Sequence, residues 1–276
     1  MKIIDAHQHF WKFDPLRDSW IDDDMKVIQR DFLPDDLERI LKENGIDGTV
    51  VVQSDQSERE NEFQLKNAEQ YDFIKGIVGW IDLQADDVEA KLAHYQRFKK
   101  LKGFRHVLQG ETQRDYMLQP NFQRGIGLLN KYGFTYDLLI LPDQLKYATQ
   151  LATNFPQQYF VLDHLAKPNI KDKVIKEWQI DVHALARHQN VYCKISGMVT
   201  EADWKNWTVK EFTPYMDVII DAFGPERIMF GSDWPVCLVA ASYKKMKDIV
   251  DDYFLQFSQS EQEAFFGRTA TKFYKL

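Results

Sequence analysis

Apolar residues gather in eight short runs along the chain, and between the runs they recur every three or four positions. The runs are Lys2–Ala6, Gly48–Val52, Phe73–Trp80, Gly103–Leu108, Phe134–Leu141, Tyr159–Leu162, Val191–Ile195 and Arg227–Gly231. Each is the length of a strand. Val50, Val51 and Val52 are apolar in succession, as a strand covered on both faces requires. The intervening stretches carry helix signals. Pro34 stands at a first helical position with Asp35 and Asp36 in the first turn; Leu37, Ile40 and Leu41 follow at helical spacing, and Gly45 closes the element. Phe122, Ile126, Leu129 and Tyr132 repeat the pattern ahead of Gly133, although Gly125 and Gly127 inside it each cost about 1 kcal/mol relative to Ala. Leu145, Ala148 and Ala152 form another stripe before Pro156. Further helices are predicted near 57–70, 86–98, 174–188, 209–223, 241–257 and 260–274.

Strand and helix alternating in this way predict an α/β protein, a (β/α)8 TIM-type barrel with one domain over residues 1–276. The competing architecture is an open doubly wound sheet. That fold places a glycine-rich phosphate loop after its first strand, and here the first strand runs into Gln8-His9-Phe10-Trp11.

Composition narrows the function. A formal net charge of −7 argues against a nucleic-acid partner, and the small basic cluster at Arg97–Lys102 reads as a solvated helix end. Two cysteines, Cys193 and Cys237, imply no disulfide framework. No apolar run is long enough to span a bilayer. The opening residues Met-Lys-Ile-Ile-Asp-Ala-His carry no leader pattern. A cytoplasmic enzyme acting on a small molecule is expected, with neither nucleic acid nor membrane as partner.

Barrels of this kind carry their chemistry at the C-terminal ends of the strands. The first run ends in His7-Gln8-His9, and strand alternation puts His7 and His9 on one face, with Asp5 sharing it and Gln8 opposite. Two imidazoles so placed suit either one metal ion or ordinary hydrogen bonding. The sixth run ends in Asp163-His164, where His164 is placed to be a third ligand and Asp163 reads as a helix cap or a salt-bridge partner. The eighth ends in Gly231-Ser232-Asp233-Trp234-Pro235, where Asp233 is placed either to ligate a metal and accept a proton from water or to cap the next helix. Four of seven histidines, His7, His9, His106 and His164, fall at strand ends; His94, His183 and His188 fall in predicted helices. Gln53, Trp80, Asp82, Arg105 and Lys194 are the other polar or aromatic residues ending strands. Arg105 and His106 cannot both point inward along a regular strand, and His106 is favoured, with Phe104 beside it. Lys194 inside an apolar run needs a partner, which favours the mouth.

Together His7-X-His9, Leu162-Asp163-His164-Leu165-Ala166-Lys167-Pro168 and Gly231-Ser232-Asp233-Trp234-Pro235 resemble the amidohydrolase-related sugar lactonases, which include L-fuconolactonases and L-rhamnonolactonases. The resemblance runs from His7 to the last helix. It implies metal-type positions at His7, His9, His164 and Asp233, with Asp233 as general base and one divalent ion, zinc foremost. Members of the group that work without an ion use the same residues, so the resemblance leaves its presence open. Dinuclear relatives use a carboxylated lysine at an internal strand end; the fifth run, Phe134-Thr135-Tyr136-Asp137-Leu138, has none. His164 and His106 join Asp233 as catalytic candidates, and Gln53, Arg105, Lys194, Trp11 and Trp234 are expected to contact substrate. Two alternatives remain at this point: a metal-dependent non-oxidative decarboxylase of the same superfamily, and a non-catalytic barrel that binds a sugar acid.

Overall fold

The computed structural model describes residues 2–276. Eight parallel strands form one sheet in sequential order: β1 (Ile4–Gln8), β2 (Gly48–Val52), β3 (Ile74–Gly79), β4 (Leu101–His106), β5 (Thr135–Leu138), β6 (Phe160–Leu162), β7 (Val191–Ile195) and β8 (Ile228–Phe230). Around them lie α1 (Pro34–Glu43), α2 (Glu58–Gln70), α3 (Val88–Tyr95), α4 (Pro120–Leu129), α5 (Leu145–Asn154), α6 (Lys176–Ala186), α7 (Val209–Phe223) and α8 (Tyr243–Phe254). This is the (β/α)8 barrel, and the open sheet is set aside.

Closure between β8 and β1 happens at the mouth. Asp233 N donates to His7 O at 2.8 Å, and His9 N donates to Trp234 O at 2.7 Å. The bonds that shut the barrel therefore also fix the backbone of three candidate site residues against one another.

Two apolar layers result from strand alternation. Val50, Val52, Val78, Val161, Tyr192 and Met229 face the barrel interior. Val51, Phe104, Leu162, Cys193 and Phe230 face the helices. β1 departs from this rhythm. Asp5 pairs with Thr49 but Gln8 pairs with Val51, so β1 uses one residue more than β2. Such a bulge re-aims the side chains after it. Ala6 belongs to the inner cluster, yet His7 still turns inward. Asp5 does not share the face of His7 and His9. It lies outside the barrel wall, accepting from Ser232 N at 2.9 Å and from Tyr243 Oη of α8 at 3.0 Å.

The predicted last helix is three pieces: α9 (Gln259–Glu263), a π-helical turn at Ala264–Arg268 and α10 (Thr269–Tyr274). α10 closes the end of the barrel opposite the mouth, packing Ala270, Phe273 and Tyr274 on the inner cluster. The unfavourable Gly125 within α4 has a packing reason, because a Cβ there would overlap the carbonyl oxygen of Leu83. Among the described residues no helix is long and apolar enough to cross a membrane.

Candidate active site

Three imidazoles and one carboxylate meet at the mouth. His7 Nε2 and His9 Nε2 are 3.2 Å apart. Asp233 Oδ1 lies 3.4 Å from His9 Nε2, 3.8 Å from His164 Nε2 and 3.9 Å from His7 Nε2. One donor atom from each of His7, His164 and Asp233 falls within a 4.8 Å span. All four side chains are buried.

Each imidazole is oriented through its other nitrogen. His9 Nδ1 sits 2.7 Å from Val52 O, a contact that requires a proton on Nδ1 and turns Nε2 toward the cluster. His164 Nδ1 is 2.8 Å from Ser196 Oγ. His7 Nδ1 faces Asp163 Oδ1 at 3.4 Å and Lys194 Nζ at 3.2 Å. A backbone carbonyl partner such as Val52 O holds an imidazole in a ligating tautomer, while Ser196 and Lys194 fix the places of the other two rings. Burial pushes the His7 imidazole well below its ordinary pKa, and it pushes His164 down to about 4 despite the attraction of Asp233. Both are therefore neutral, which is the form that binds a metal. Burial alone would raise Asp233, but the facing imidazoles, His164 foremost, hold its carboxyl below the usual range. The donor atoms of His7, His164 and Asp233 fit one divalent ion of zinc type, and His9 Nε2 lies beside them, 3.2 Å from His7 Nε2 and 3.4 Å from Asp233 Oδ1.

The backbone is bent to make this possible. His164, Leu165, Ala166 and Lys167 all take left-handed φ between 50° and 58°, and Asp233 does so at 57°. For non-glycine residues such conformations cost about 1–2 kcal/mol each, and they collect at functional sites. Gly197 makes room for the turn: a Cβ there would lie 2.6 Å from His164 Nδ1.

Below the ligands the interior holds charges in pairs. Lys194 Nζ is 2.5 Å from Asp137 Oδ2 and 3.0 Å from Asp163 Oδ1. Arg105 Nη1 is 3.0 Å from Asp163 Oδ2, and its Nη2 donates to Gln53 O and Oε1 at 2.5 and 3.0 Å. Two cations thus balance two buried carboxylates. Burial would raise Asp163, but Lys194 foremost, with Arg105 adding to it, holds the carboxyl well below its ordinary range. The salt-bridge reading of Asp163 is the one the geometry bears out.

Several expectations need correcting. Arg105, and not His106, points inward, because Gly103 and Arg105 fall on the inner alternation and Phe104 on the outer one. His106 lies behind the wall, 2.7 Å from Glu111 Oε1 and stacked on Tyr116. Trp11 and Trp234 are packing residues. Trp11 donates its indole N–H to Arg30 O, and both rings pack edge-on against Phe32. Gln53 holds Arg105, and Lys194 lies under the ligands, so neither lines the open cavity.

That cavity, about 200 Å³, is lined by His9, Arg105, His164 and Asp233 at its floor and by Trp20, Ser54, Val107, Gln109, Leu139, Lys167 and Val236 above. Trp20, 44 % exposed, is the aromatic residue at the mouth. A larger hollow of about 730 Å³ beside the mouth, lined by Lys12, Asp14, Arg17, Asp55 and Glu60, contains none of the ligand-type residues. The chemistry belongs to the smaller one. Trp20 and Gln109 carry no mark in the sequence, lying outside any periodic stretch, and Lys167 stands there only as part of the Leu-Asp-His-Leu-Ala-Lys-Pro motif.

Three buried histidines and one aspartate thus meet at the mouth of a (β/α)8 barrel, where His7, His164 and Asp233 could hold a metal ion. The chain matches the family model described as amidohydrolase over residues 4–276, and it belongs to that family. It is 36% identical to an L-fucono-1,5-lactonase of Burkholderia multivorans, covering 99% of this chain and 96% of that protein. It is 35% identical to an L-fucono-1,5-lactonase of Burkholderia ambifaria, covering 87% and 82%. The crystal structure of an amidohydrolase from Burkholderia multivorans with bound zinc superposes with a TM-score of 0.97 at 36% identity over 100% of both chains.

Proposed function

We propose that the chain hydrolyses a sugar lactone of the L-fuconolactone or L-rhamnonolactone type. The observation that carries this reading is the Asp233 carboxylate, anionic and buried, within 3.4–3.9 Å of three imidazoles at the floor of a cavity sized for a small molecule. The relatives' activity toward L-fucono-1,5-lactone supplies the substrate class.

Opening a lactone requires a nucleophilic water, a polarised carbonyl and a proton for the departing ring oxygen. Asp233 is the general base. Its carboxylate takes a proton from the water whose oxygen bonds to the carbonyl carbon. When the ring C–O bond breaks, Asp233 returns that proton to the ring oxygen, which leaves as a hydroxyl, and the product is the open hydroxy acid. His7, His9, His164 and Asp233 are the residues that would hold a divalent ion, which supplies Lewis acidity to the carbonyl and to water when bound. Arg105 presents positive charge at the cavity floor where negative charge develops on the carbonyl oxygen, and Asp163 and Gln53 keep its guanidinium in place. Trp20 offers a ring face to the sugar; Ser54, Gln109 and Lys167 offer groups for its hydroxyls.

Asp233→Asn tests the assignment. The amide keeps the shape but cannot accept the proton, so kcat/KM for L-fucono-1,5-lactone should fall by at least about 1,000-fold, with thermal unfolding near that of the parent. Full turnover in this variant refutes the general-base role.

A further inference from the structure

A line of buried polar groups runs from the ligand cluster through the barrel interior to its opposite end. Tyr274 Oη, on α10, donates to Asp137 Oδ2 at 2.8 Å. The same oxygen accepts from Lys194 Nζ at 2.5 Å. Lys194 Nζ then lies 3.2 Å from His7 Nδ1, with Asp163 Oδ1 beside it at 3.0 Å. Tyr274 is fully enclosed, and Asp137, Lys194, Asp163 and His7 are inaccessible to solvent.

We propose that Tyr274 is a positioning residue for His7, acting through Asp137 and Lys194. This rests on the reading of His7 as a metal ligand. Sealing the end of a barrel does not call for a hydroxyl. Ala270 and Phe273 of the same helix do it with apolar atoms, and a phenol in that interior is costly unless bonded. What the hydroxyl does is pin Asp137, whose side chain accepts, among the described residues, from Lys194 and Tyr274 alone. Both act on Oδ2, while Oδ1 has no partner among them. Lysine carries its charge on a flexible four-carbon stem, so the place of its ammonium is set by the anions around it. Fixing Asp137 fixes Lys194, whose ammonium lies 3.2 Å from His7 Nδ1 and so sets the place of the His7 ring. Outer partners of this kind govern metal affinity as well as geometry.

The experiment compares Tyr274→Phe with Phe273→Leu in the full chain. Zn²⁺ release into a chromophoric chelator, the visible spectrum of the Co²⁺-substituted protein, and kcat and KM for L-fucono-1,5-lactone are read for each. Tyr274→Phe should release zinc about tenfold faster, at the low end of outer-sphere effects. Its cobalt spectrum should shift, and kcat should fall while KM holds. Phe273→Leu, a change in apolar packing alone, should lower the unfolding temperature and leave the zinc release rate and cobalt spectrum as in the parent. Asp137→Asn gives the same readings independently and decides the matter if Tyr274→Phe does not fold. Zinc release and a cobalt spectrum unchanged in Tyr274→Phe overturn the positioning role while the metal reading stands. A parent protein that takes up no zinc overturns both.

Discussion

At the mouth of the barrel four consecutive residues, His164 to Lys167, and Asp233 hold left-handed backbone angles, and charged or polar side chains fill the space. At the opposite end α10 lays Ala270, Phe273 and the ring of Tyr274 against Ile4, Ala6 and Val50. One end carries backbone strain and polar functional groups; the other carries close apolar packing. The difference teaches how the four candidate ligands can be held in a geometry their local chain would not choose. Strain of about 1–2 kcal/mol per residue at the mouth is offset by burial elsewhere in the same cooperative unit. Apolar packing changes at the closed end, as distinct from loss of the Tyr274 hydroxyl, should accordingly lower stability and spare activity, while changes at the mouth do the reverse.

The largest separation is expected at Gly197. Its φ of 64° and the 2.6 Å approach of His164 Nδ1 leave no room for a methyl group. Gly197→Ala should displace the His164 ring and lower kcat/KM for the lactone by about 100-fold, with a smaller loss of zinc affinity, both measurable on folded protein. An active Gly197→Ala variant would mean that the His164 turn is not held where the geometry puts it. At the other end, Phe273→Ala should cost about 3–5 kcal/mol of stability in denaturant unfolding, as for other buried phenylalanines, while the folded fraction keeps kcat within about twofold. Loss of activity in proportion to stability would erase the contrast between the two ends.

Much of this arrangement was legible before the structure. The eight strands, most helices and the residues at the C-terminal strand ends follow from apolar runs and their punctuation. His7, His9, His164 and Asp233 were found because polar residues ending apolar strands stand out. The misreadings have separate physical causes. Strands buried on both faces lack polar–apolar alternation, so which residues face inward cannot be read along them. β4 offered Arg105 and His106 without a phase, and Phe104 supplied the wrong one. The bulge in β1 has no local sequence mark; Asp5 before it lies on the outer face, and His7 after Ala6 is turned inward by it. Trp11 and Trp234 stood near strand ends, yet both pack beneath the excursion after β1, whereas Trp20 within that excursion reaches the cavity. Lys194 was rightly expected to need partners. Asp137 and Asp163, distant in sequence, are those partners, and only barrel closure brings them together.

The central claim is that barrel closure gathers His7, His9, His164 and Asp233 around one divalent ion. Zinc stoichiometry tests it most directly. Protein stripped with chelator, reloaded with Zn²⁺ and passed through gel filtration should retain one zinc per chain, and His9→Ala should retain it more weakly. Two zinc ions per chain, or none, would contradict the account.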